Sequence, residues 1–375
     1  MIGFNKPYLT GNEQKYIEEV FRSQKLSGNG QFTHRCQRFI EEKFGIKKCL
    51  LTTSATDALE MIALLLDIQP GDEVIVPSFT FVSTANAFVL RGAHIVFADS
   101  CVDDPNIDAS LVERLVTPRT KAIVVVHYAG SCCDMDTIMG VARKHDLFVV
   151  EDAAQAINSF YKGRPLGSIG HLGCFSFHET KNISSGEGGA LLINDERFLK
   201  RAEILWEKGT NRTAFFRGEI DKYTWVDVGS SFLPSEVTAA LLWAQFEKFD
   251  EILSTRLGLW NQYYDRLKSI SPKIRAPVLR PEVVHNGHIF FLLTTSEEER
   301  NAMISFLNAK GVNAIFHYMP LHSSPFGKSI KPIILNDLPN AQHYSRTLMR
   351  LPLYHELTLT SLDRIVAVIR QWLFS

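Results

Sequence analysis

Residues 147–155 read LFVVEDAAQ, an apolar run followed by two acidic residues, two alanines and a glutamine. A short apolar run bounded by polar residues is typical of a strand buried in a parallel sheet. We therefore predict a strand over residues 147–151, with Asp152 at its carboxyl end. Ligands bind at that end of the strands in open α/β sheets, so Asp152 is a candidate site residue.

The same pattern recurs from about residue 48 onward, where short apolar runs alternate with helical patterns. This alternation is typical of βαβ units and a mainly parallel sheet. Further strands are predicted at residues 49–53, 73–77, 94–98, 122–127, 173–177 and 190–193, and helices at 56–66, 83–90, 111–116 and 136–144. The sequence thus indicates an α/β fold with a seven-stranded sheet.

A chain of 375 residues exceeds the size at which one hydrophobic core keeps growing, so two domains are expected. We predict a large domain over residues 1–245 and a smaller α+β domain over residues 246–375, against which the N-terminal segment could pack. A helical stretch over residues 234–267 would lead from one to the other. Strands at 288–293 and 314–317 and helices at 298–309 and 361–372 are expected in the smaller domain.

Composition narrows the classes of function. The net charge of −1 argues against binding nucleic acid or a membrane surface through bulk electrostatics. The six cysteines form no C-x-x-C pair and no zinc-type spacing with histidine, so no metal is expected. No apolar stretch approaches the ~20 residues that span a bilayer. The N-terminus lacks the apolar core of a signal peptide, and we expect a cytoplasmic protein.

A lysine follows the predicted strand at residues 173–177, in the stretch CFSFHETKN at 174–182. By itself Lys181 could be a solvated surface lysine, as most lysines are. The presence of Asp152 on the neighbouring predicted strand favours a different role for Lys181. A lysine that bonds to an aldehyde and an aspartate that keeps a pyridine nitrogen protonated are the minimal set for pyridoxal phosphate. We therefore take this cofactor as the working hypothesis.

Residues 51–59, LTTSATDAL, join a strand to a helix through small hydroxyl-bearing residues. Open backbone amides at a helix start, with the hydroxyls of Ser54 and Thr56, can bind a phosphate dianion. Ordinary N-capping explains the same residues equally simply. Ser176, near the end of its predicted strand, could add another phosphate contact.

Two further residues could contact the cofactor ring. Phe81 follows the strand at 73–77 and could stack on a planar ring, although an aromatic there is usually core. Gln155 lies three residues after Asp152 and could donate a hydrogen bond to a phenolic oxygen. The glycine-rich run at 186–189 permits a tight turn after Lys181.

These segments together resemble the DegT/DnrJ/EryC1/StrS sugar aminotransferases, which are pyridoxal phosphate enzymes of fold type I. The resemblance covers nearly the whole chain, and its markers are SAT at 54–56, PGDEVI at 70–75, EDAAQ at 151–155, SFH at 176–178 with Lys181, and GEGG at 186–189. It implies that Lys181 attaches to the cofactor and Asp152 contacts its ring nitrogen. It also implies that Gln155 and Phe81 contact the ring, and that the phosphate is held by Ser54, Ala55, Thr56 and Ser176.

Within that family, residues 81–92, 178–182 and 222–225 are similar to members that aminate dTDP-4-oxo-6-deoxy-D-glucose for enterobacterial common antigen. The resemblance implies L-glutamate as the amino donor. Lys181 weighs against the related sugar 3-dehydratases, which carry histidine there. A product of the gluco configuration or a 3-amino sugar stays open. A non-enzymatic regulator of the same fold would need a degraded site or a DNA-binding segment, and neither is visible.

The family also implies a homodimer whose active sites are shared between subunits. Many members carry an asparagine in the segment that matches GSSF at 229–232, where it reaches the phosphate of the neighbouring subunit's cofactor. In this chain Ser230 or Ser231 would have to make that contact.

Residues on the substrate side are predicted from two segments. His317 and His322, in FHYMPLH at 316–322, resemble substrate-side residues of the family, although a lone histidine is more often structural. A sugar-linked diphosphate needs cationic donors, and Arg212, Arg217 and Lys222 lie in one segment with Tyr223. A solvated basic loop is the alternative for this segment.

Overall fold

A computed structural model describes residues 1–335 and 337–374 of the chain. The strands are β1 Lys48–Thr52, β2 Glu73–Pro77, β3 His94–Ala98, β4 Thr120–Val126, β5 Phe148–Asp152, β6 Phe160–Tyr161, β7 Arg164–Pro165, β8 Leu172–Ser176, β9 Gly189–Ile193, β10 Ile274–Arg275, β11 Val283–Val284, β12 Phe291–Thr294, β13 Ile315–Phe316 and β14 Leu348–Arg350.

The helices cover both faces of the large sheet and also pack against a smaller one. They are α1 Glu13–Ser23, α2 Gln31–Phe44, α3 Ala55–Leu65, α4 Val82–Val89, α5 Ala109–Val112, α6 Met135–His145, α7 Leu199–Trp206, α8 Arg212–Phe216, α9 Glu236–Glu247, α10 Phe249–Leu267, α11 Glu297–Ala309, α12 Pro325–Ser329, α13 Pro339–Thr347 and α14 Leu359–Phe374. No helix in the described ranges is long and apolar enough to cross a bilayer.

The large sheet has seven strands in the order β1-β9-β8-β5-β4-β2-β3. Strands β3, β2, β4, β5 and β8 run parallel, whereas β9 is antiparallel to both β8 and β1. Residues of β2, β8 and β9 are buried throughout, because helices cover both faces and leave no polar side. The predicted α/β class and mainly parallel seven-stranded sheet are confirmed.

The C-terminal part carries an antiparallel sheet in the order β10-β12-β14-β13. Its core joins Trp260, Phe290, Leu307 and Ile365. The N-terminus packs here as well, since Ile2 pairs with Val312 and its side chain joins the same core.

Helix α10 belongs to both cores. Phe249 at its start packs with the large sheet, whereas Trp260 and Leu267 pack with the small one. Because this helix contributes side chains to both cores, the division of the chain at residue 245 stays a prediction.

Three predicted elements differ from those in the structure. The helix expected over residues 111–116 is α-helical only as far as Val112, where α5 ends, and Glu113–Leu115 form a 3₁₀ turn. The helix expected over residues 234–267 is broken at Lys248, whose φ of −107° and ψ of 16° are not helical. The strand expected from residue 288 begins at Phe291. Its first residues bond to side chains instead of a neighbouring strand, since Arg256 Nη2 and Trp260 Nε1 donate to the carbonyl oxygens of His288 and Ile289.

Candidate active site

A cavity of about 370 Å³ lies between the carboxyl ends of the large sheet and the C-terminal part of the chain. Nine of the residues predicted from the sequence line it: Ser54, Ala55, Thr56, Phe81, Asp152, Gln155, Ser176, Lys181 and His317. These residues come from separate segments of the chain. The topology brings them together because β5 and β8 are adjacent, and the β1–α3 connection faces the end of β9.

Lys181 lies in the connection between β8 and β9. The connection is held by backbone hydrogen bonds from Lys181 N to His178 O at 2.9 Å and from Glu179 N to Gly186 O at 2.8 Å. Burial lowers the pKa of the Lys181 amine to about 8, although the negative charge of Asp152 opposes the shift. A larger fraction of this amine is therefore neutral and nucleophilic near neutral pH than for a surface lysine.

Asp152 ends β5 with a buried carboxylate. Its Oδ2 accepts a hydrogen bond from Thr84 Oγ1 at 2.7 Å, and its Oδ1 accepts one from Ala154 N at 3.2 Å. Among residues 1–335 and 337–374, no cationic side-chain nitrogen lies within 4.0 Å of this carboxylate. A buried carboxylate without a cation suits a ligand that brings a positive charge, such as a pyridinium.

The start of α3 forms a small polar cradle. Ser54 Oγ caps the amide of Asp57 at 3.0 Å, while the amides of Ala55 and Thr56 donate to no acceptor in the described residues. The hydroxyl of Thr56 lies 2.8 Å from that of Ser83. Capping and anion binding are thus compatible here, because the cap uses only one of the open amides.

Gly189 permits this cradle to lie against the large sheet. A Cβ at that position would fall 2.3 Å from the carbonyl carbon of Ser54 and 2.4 Å from the amide nitrogen of Ala55. Any larger residue would push the β1–α3 connection away from β9.

The amide of Gln155 is fixed by two partners. Its Oε1 accepts from Ala129 N at 2.7 Å, and its Nε2 donates to the hydroxyl of Tyr318 at 2.9 Å. Phe81 is 54% exposed at the rim of the cavity, with its ring 6.2 Å from that of Tyr318. Phe81 is therefore not a core residue, and its open ring is available to a planar ligand.

The two histidines predicted on the substrate side are separated. His317 lines the cavity, stacks on Tyr318 at 3.6 Å between ring centroids, and has Nδ1 2.5 Å from the hydroxyl of Tyr128. Burial holds the pKa of His317 well below its usual value, so the ring is neutral. His322 does not line the cavity, since its Nδ1 lies 2.6 Å from Ser78 Oγ beyond the end of β2.

The basic segment with Arg212, Arg217 and Lys222 lies away from the Lys181 cavity of the same chain. Arg212 borders a second cavity of about 470 Å³, and its guanidinium lies 5.0 Å from the ring centre of Phe216. Arg217 also borders this cavity, but it is paired with Glu203 at 2.8 Å and Glu219 at 2.6 Å and is not a free cation. Lys222, Tyr223 and Ser231 are exposed. None of the five lines the cavity that contains Lys181.

A model of the DegT/DnrJ/EryC1/StrS aminotransferase family matches residues 7–370. The chain belongs to this family. Among curated relatives, GDP-perosamine synthase of Caulobacter vibrioides is 33% identical over 373 residues, covering 97% of this chain and 96% of the relative. The spore coat polysaccharide biosynthesis protein SpsC of Bacillus subtilis is 32% identical over 374 residues, covering 98% and 96%.

Solved structures of the same fold include a putative sugar aminotransferase from Streptococcus pneumoniae. Its PMP form has a TM-score of 0.92 at 27% identity, covering 99% of both chains. Its PLP form has a TM-score of 0.91 at 28% identity, covering 99% and 98%. The chain is thus a pyridoxal phosphate-dependent sugar aminotransferase of fold type I.

In this aminotransferase His288 lines the cavity and Asn182 supports it from behind, and the sequence singled out neither residue. Asn182 follows Lys181, and its Oδ1 lies 2.8 Å from His288 Nδ1, while its Nδ2 donates to Asn286 O at 2.9 Å. Burial holds the pKa of His288 well below its usual value. Adjacency to the lysine was a usable signal for Asn182. His288 carries no local signal, because more than a hundred residues separate it from Lys181.

Arg256, Tyr318 and Arg350 were also missed, although all three line the cavity. Arg256 lies within a helix and Arg350 ends a short strand, where a basic residue usually marks a solvated face. Their position at the cavity depends on how the C-terminal sheet packs against the large one.

Proposed function

We propose that the chain transfers the amine of L-glutamate to dTDP-4-oxo-6-deoxy-D-glucose, giving 2-oxoglutarate and dTDP-4-amino-4,6-dideoxy-D-galactose. The observation that carries the transamination is the pairing of Lys181 and Asp152 in one buried cavity, with the Lys181 pKa lowered to about 8. The particular sugar is supported by the resemblance of residues 81–92 and 178–182 to enzymes of enterobacterial common antigen synthesis.

The cavity residues fit the cofactor. Ala55 and Thr56 offer open amides, and Ser54, Thr56 and Ser176 offer hydroxyls to the phosphate. Asp152 faces the cavity without a cation and would keep the pyridine nitrogen protonated. Gln155 and Phe81 would contact the ring. When bound, pyridoxal phosphate supplies the carbonyl carbon that takes up the amine and a ring that takes up the electron pair of the broken C–H bond.

Lys181 then acts as base and acid. Its neutral Nζ takes the proton from the α carbon of the amino donor. It would pass this proton to the cofactor carbon that has taken up the nitrogen. In the second half-reaction it would take a proton back from that carbon and deliver it to C4 of the sugar, the carbon that receives the nitrogen. Because one site serves both half-reactions in turn, the kinetics are expected to be ping-pong.

We propose that a second copy of the chain completes the site. Ser231 and the segment with Arg212, Lys222 and Tyr223 lie outside the Lys181 cavity of their own chain. Nearby Phe216 and Trp225 are 64% and 78% exposed, which favours an interface on this face. In a twofold dimer, these residues would reach the partner's cavity, with the basic ones toward the nucleotide diphosphate.

The test is product analysis. Purified enzyme is incubated with L-glutamate and either dTDP-4-oxo-6-deoxy-D-glucose or the corresponding GDP-linked sugar, and NMR identifies the aminated carbon and its configuration. The proposal expects a 4-amino sugar with an axial amine from the dTDP substrate. An equatorial amine, amination at C3 or preference for GDP would replace it with the matching alternative.

A further inference from the structure

Two arginines border the Lys181 cavity without an acidic partner. Within residues 1–335 and 337–374, neither Arg256 nor Arg350 has a carboxylate oxygen within 4.0 Å, whereas Arg280 is close to Asp103 and Asp104. Arg256 is only 4% exposed. A buried cation without an anion is costly, and a ligand carboxylate or phosphate offsets that cost.

The protein satisfies Arg256 only in part. Its Nη2 donates to the carbonyl oxygen of His288 at 2.9 Å, and its Nε is buried without a hydrogen-bond partner. Burial lowers the pKa of Arg256 to about 10, so the guanidinium still carries its charge at neutral pH. Its hydrogen-bonding capacity is therefore incompletely used by the chain itself.

Arg350, at the end of β14, also has few hydrogen-bond partners within the chain. Its Nε and Nη2 lie 3.4 and 3.2 Å from a single acceptor, the carbonyl oxygen of Phe316, and its guanidinium lies 4.8 Å from the ring centre of Phe4. The 3.4 Å contact is long for a hydrogen bond and the 3.2 Å contact is at the upper end of the usual range. Its charge contributes to lowering the pKa of Lys181, so Arg350 is electrostatically coupled to the reactive amine.

The cofactor phosphate does not need these arginines, because the start of α3 supplies its donors. An amino donor with two carboxylates has one group bonded to the carbon whose proton Lys181 removes and a second farther away. We infer that Arg350 and Arg256 form the amino-donor subsite, with Arg350 binding the α-carboxylate and Arg256 the side-chain carboxylate. This inference rests on the proposed transamination and names how its donor is selected.

The experiment compares Arg350→Met and Arg256→Met in the cofactor-loaded enzyme. Arg346→Met is the control, because Arg346 is exposed and does not line the cavity. Each half-reaction is followed separately in a stopped-flow spectrometer. Loss of a charge-assisted bond should weaken glutamate binding by about 10- to 100-fold, while the sugar half-reaction of the pyridoxamine form changes little. Arg256→Met should also reduce the preference for L-glutamate over L-glutamine.

Binding of glutarate, an unreactive dicarboxylate, gives a readout independent of turnover. Calorimetry should show tight binding lost in both methionine variants and retained in the control. Arg256→Met should raise the melting temperature of the ligand-free holoenzyme, since it removes an unpaired buried charge, yet abolish the stabilisation by glutarate. A purely structural arginine would lower the melting temperature instead.

The outcomes separate the two claims. If wild-type enzyme fails to aminate the keto sugar but binds glutarate through both arginines, the proposed sugar is wrong and the donor subsite stands. If both variants keep their affinity for glutamate and glutarate, the subsite assignment is overturned. If they lose the sugar half-reaction instead, the assignment is also overturned, and the diphosphate of the sugar substrate becomes the ligand of the arginines. Arg350→Lys and Arg256→Lys are measured in parallel and decide the same question if a methionine variant does not fold.

Discussion

Thr84 Oγ1 donates a 2.7 Å hydrogen bond to Asp152 Oδ2, and the Oγ1 of Thr80 lies 2.9 Å behind the same hydroxyl. The three groups form a buried chain in which each member fixes the direction of the next. Thr84 belongs to α4, the helix that follows β2, whereas Asp152 ends β5, and β4 lies between these two strands. A residue two strands away therefore helps to orient the carboxylate.

Thr84→Val should lower kcat by about tenfold without preventing cofactor binding, because the carboxylate loses the bond that orients it. Thr84→Ser keeps the hydroxyl and serves as the matched control. Steady-state kinetics and the cofactor absorbance of both variants check this. Equal losses in the valine and serine variants would assign the effect to packing.

Asp152→Asn should still bind the cofactor but lose about 10²–10³ in rate, by analogy with removal of one preorganised electrostatic group. An amide cannot hold the pyridine nitrogen protonated as a carboxylate does. Single-turnover rates with glutamate measure the loss. A variant that is nearly as fast as wild type would mean that another group protonates the ring.

Attachment of the cofactor to the apoenzyme should follow the titration of Lys181. The folded-state pKa of about 8 lies below the ordinary 10.5, so the neutral, reactive amine accumulates as pH rises through 8. The rate of attachment should increase with a midpoint near that pH and level off above it.

Borohydride reduction and peptide mapping should place the label on Lys181, and Lys181→Ala should remain folded but inactive. A label elsewhere would refute the assignment.

Gly189→Ala should weaken cofactor affinity. The added Cβ would meet backbone atoms of Ser54 and Ala55 at 2.3 and 2.4 Å, and the displaced turn carries the open amides. Gly140→Ala is the control, since a Cβ there meets nothing within 4 Å in the middle of α6. Equilibrium dialysis of the phosphate cofactor compares the two. Unchanged affinity in the Gly189 variant would place the phosphate elsewhere.

Arg212 and Arg217 should respond differently to neutralisation. Arg212→Met is expected to slow the sugar half-reaction and spare the glutamate half-reaction, if a dimer carries Arg212 to the partner's cavity. Arg217→Met breaks contacts with Glu203, which is largely buried, and should mainly lower the melting temperature. Light scattering is measured alongside, because an active monomer would exclude the shared site.

The sequence predicted the sheet and the positions of Asp152 and Lys181 because strand alternation and strand ends are local properties. Side chains of successive strand residues face opposite ways, so Glu151 and Asp152 point to opposite faces of the sheet and have different functions. Glu151 accepts hydrogen bonds from the amides of Gly167 and Ile169 and lies 2.9 Å from His127 Nε2, while Asp152 faces the cavity. That division follows once the strand is assigned.

Residues of the C-terminal part could not be predicted in the same way. Arg256 and Arg350 lie on a helix and a strand whose patterns indicate only which face is apolar. Their approach to Lys181 is created by contacts between segments more than 70 residues apart, and no spacing in a single sequence records such contacts. The break at Lys248 was also missed, since apolar residues continue through it on both sides.

Asn286 is a single anchor for two parts of the site. Its side-chain amide donates to the carbonyl oxygens of Gln155 and Ile157, and its own carbonyl accepts from Asn182. A chimera that imports the C-terminal sheet of a relative to change the sugar acceptor would replace this anchor as well. Such a graft succeeds only if the incoming segment supplies the same donors and acceptor. Without them, Asn182 loses its partner, and the exchange displaces the neighbouring Lys181 as well as changing the sugar site.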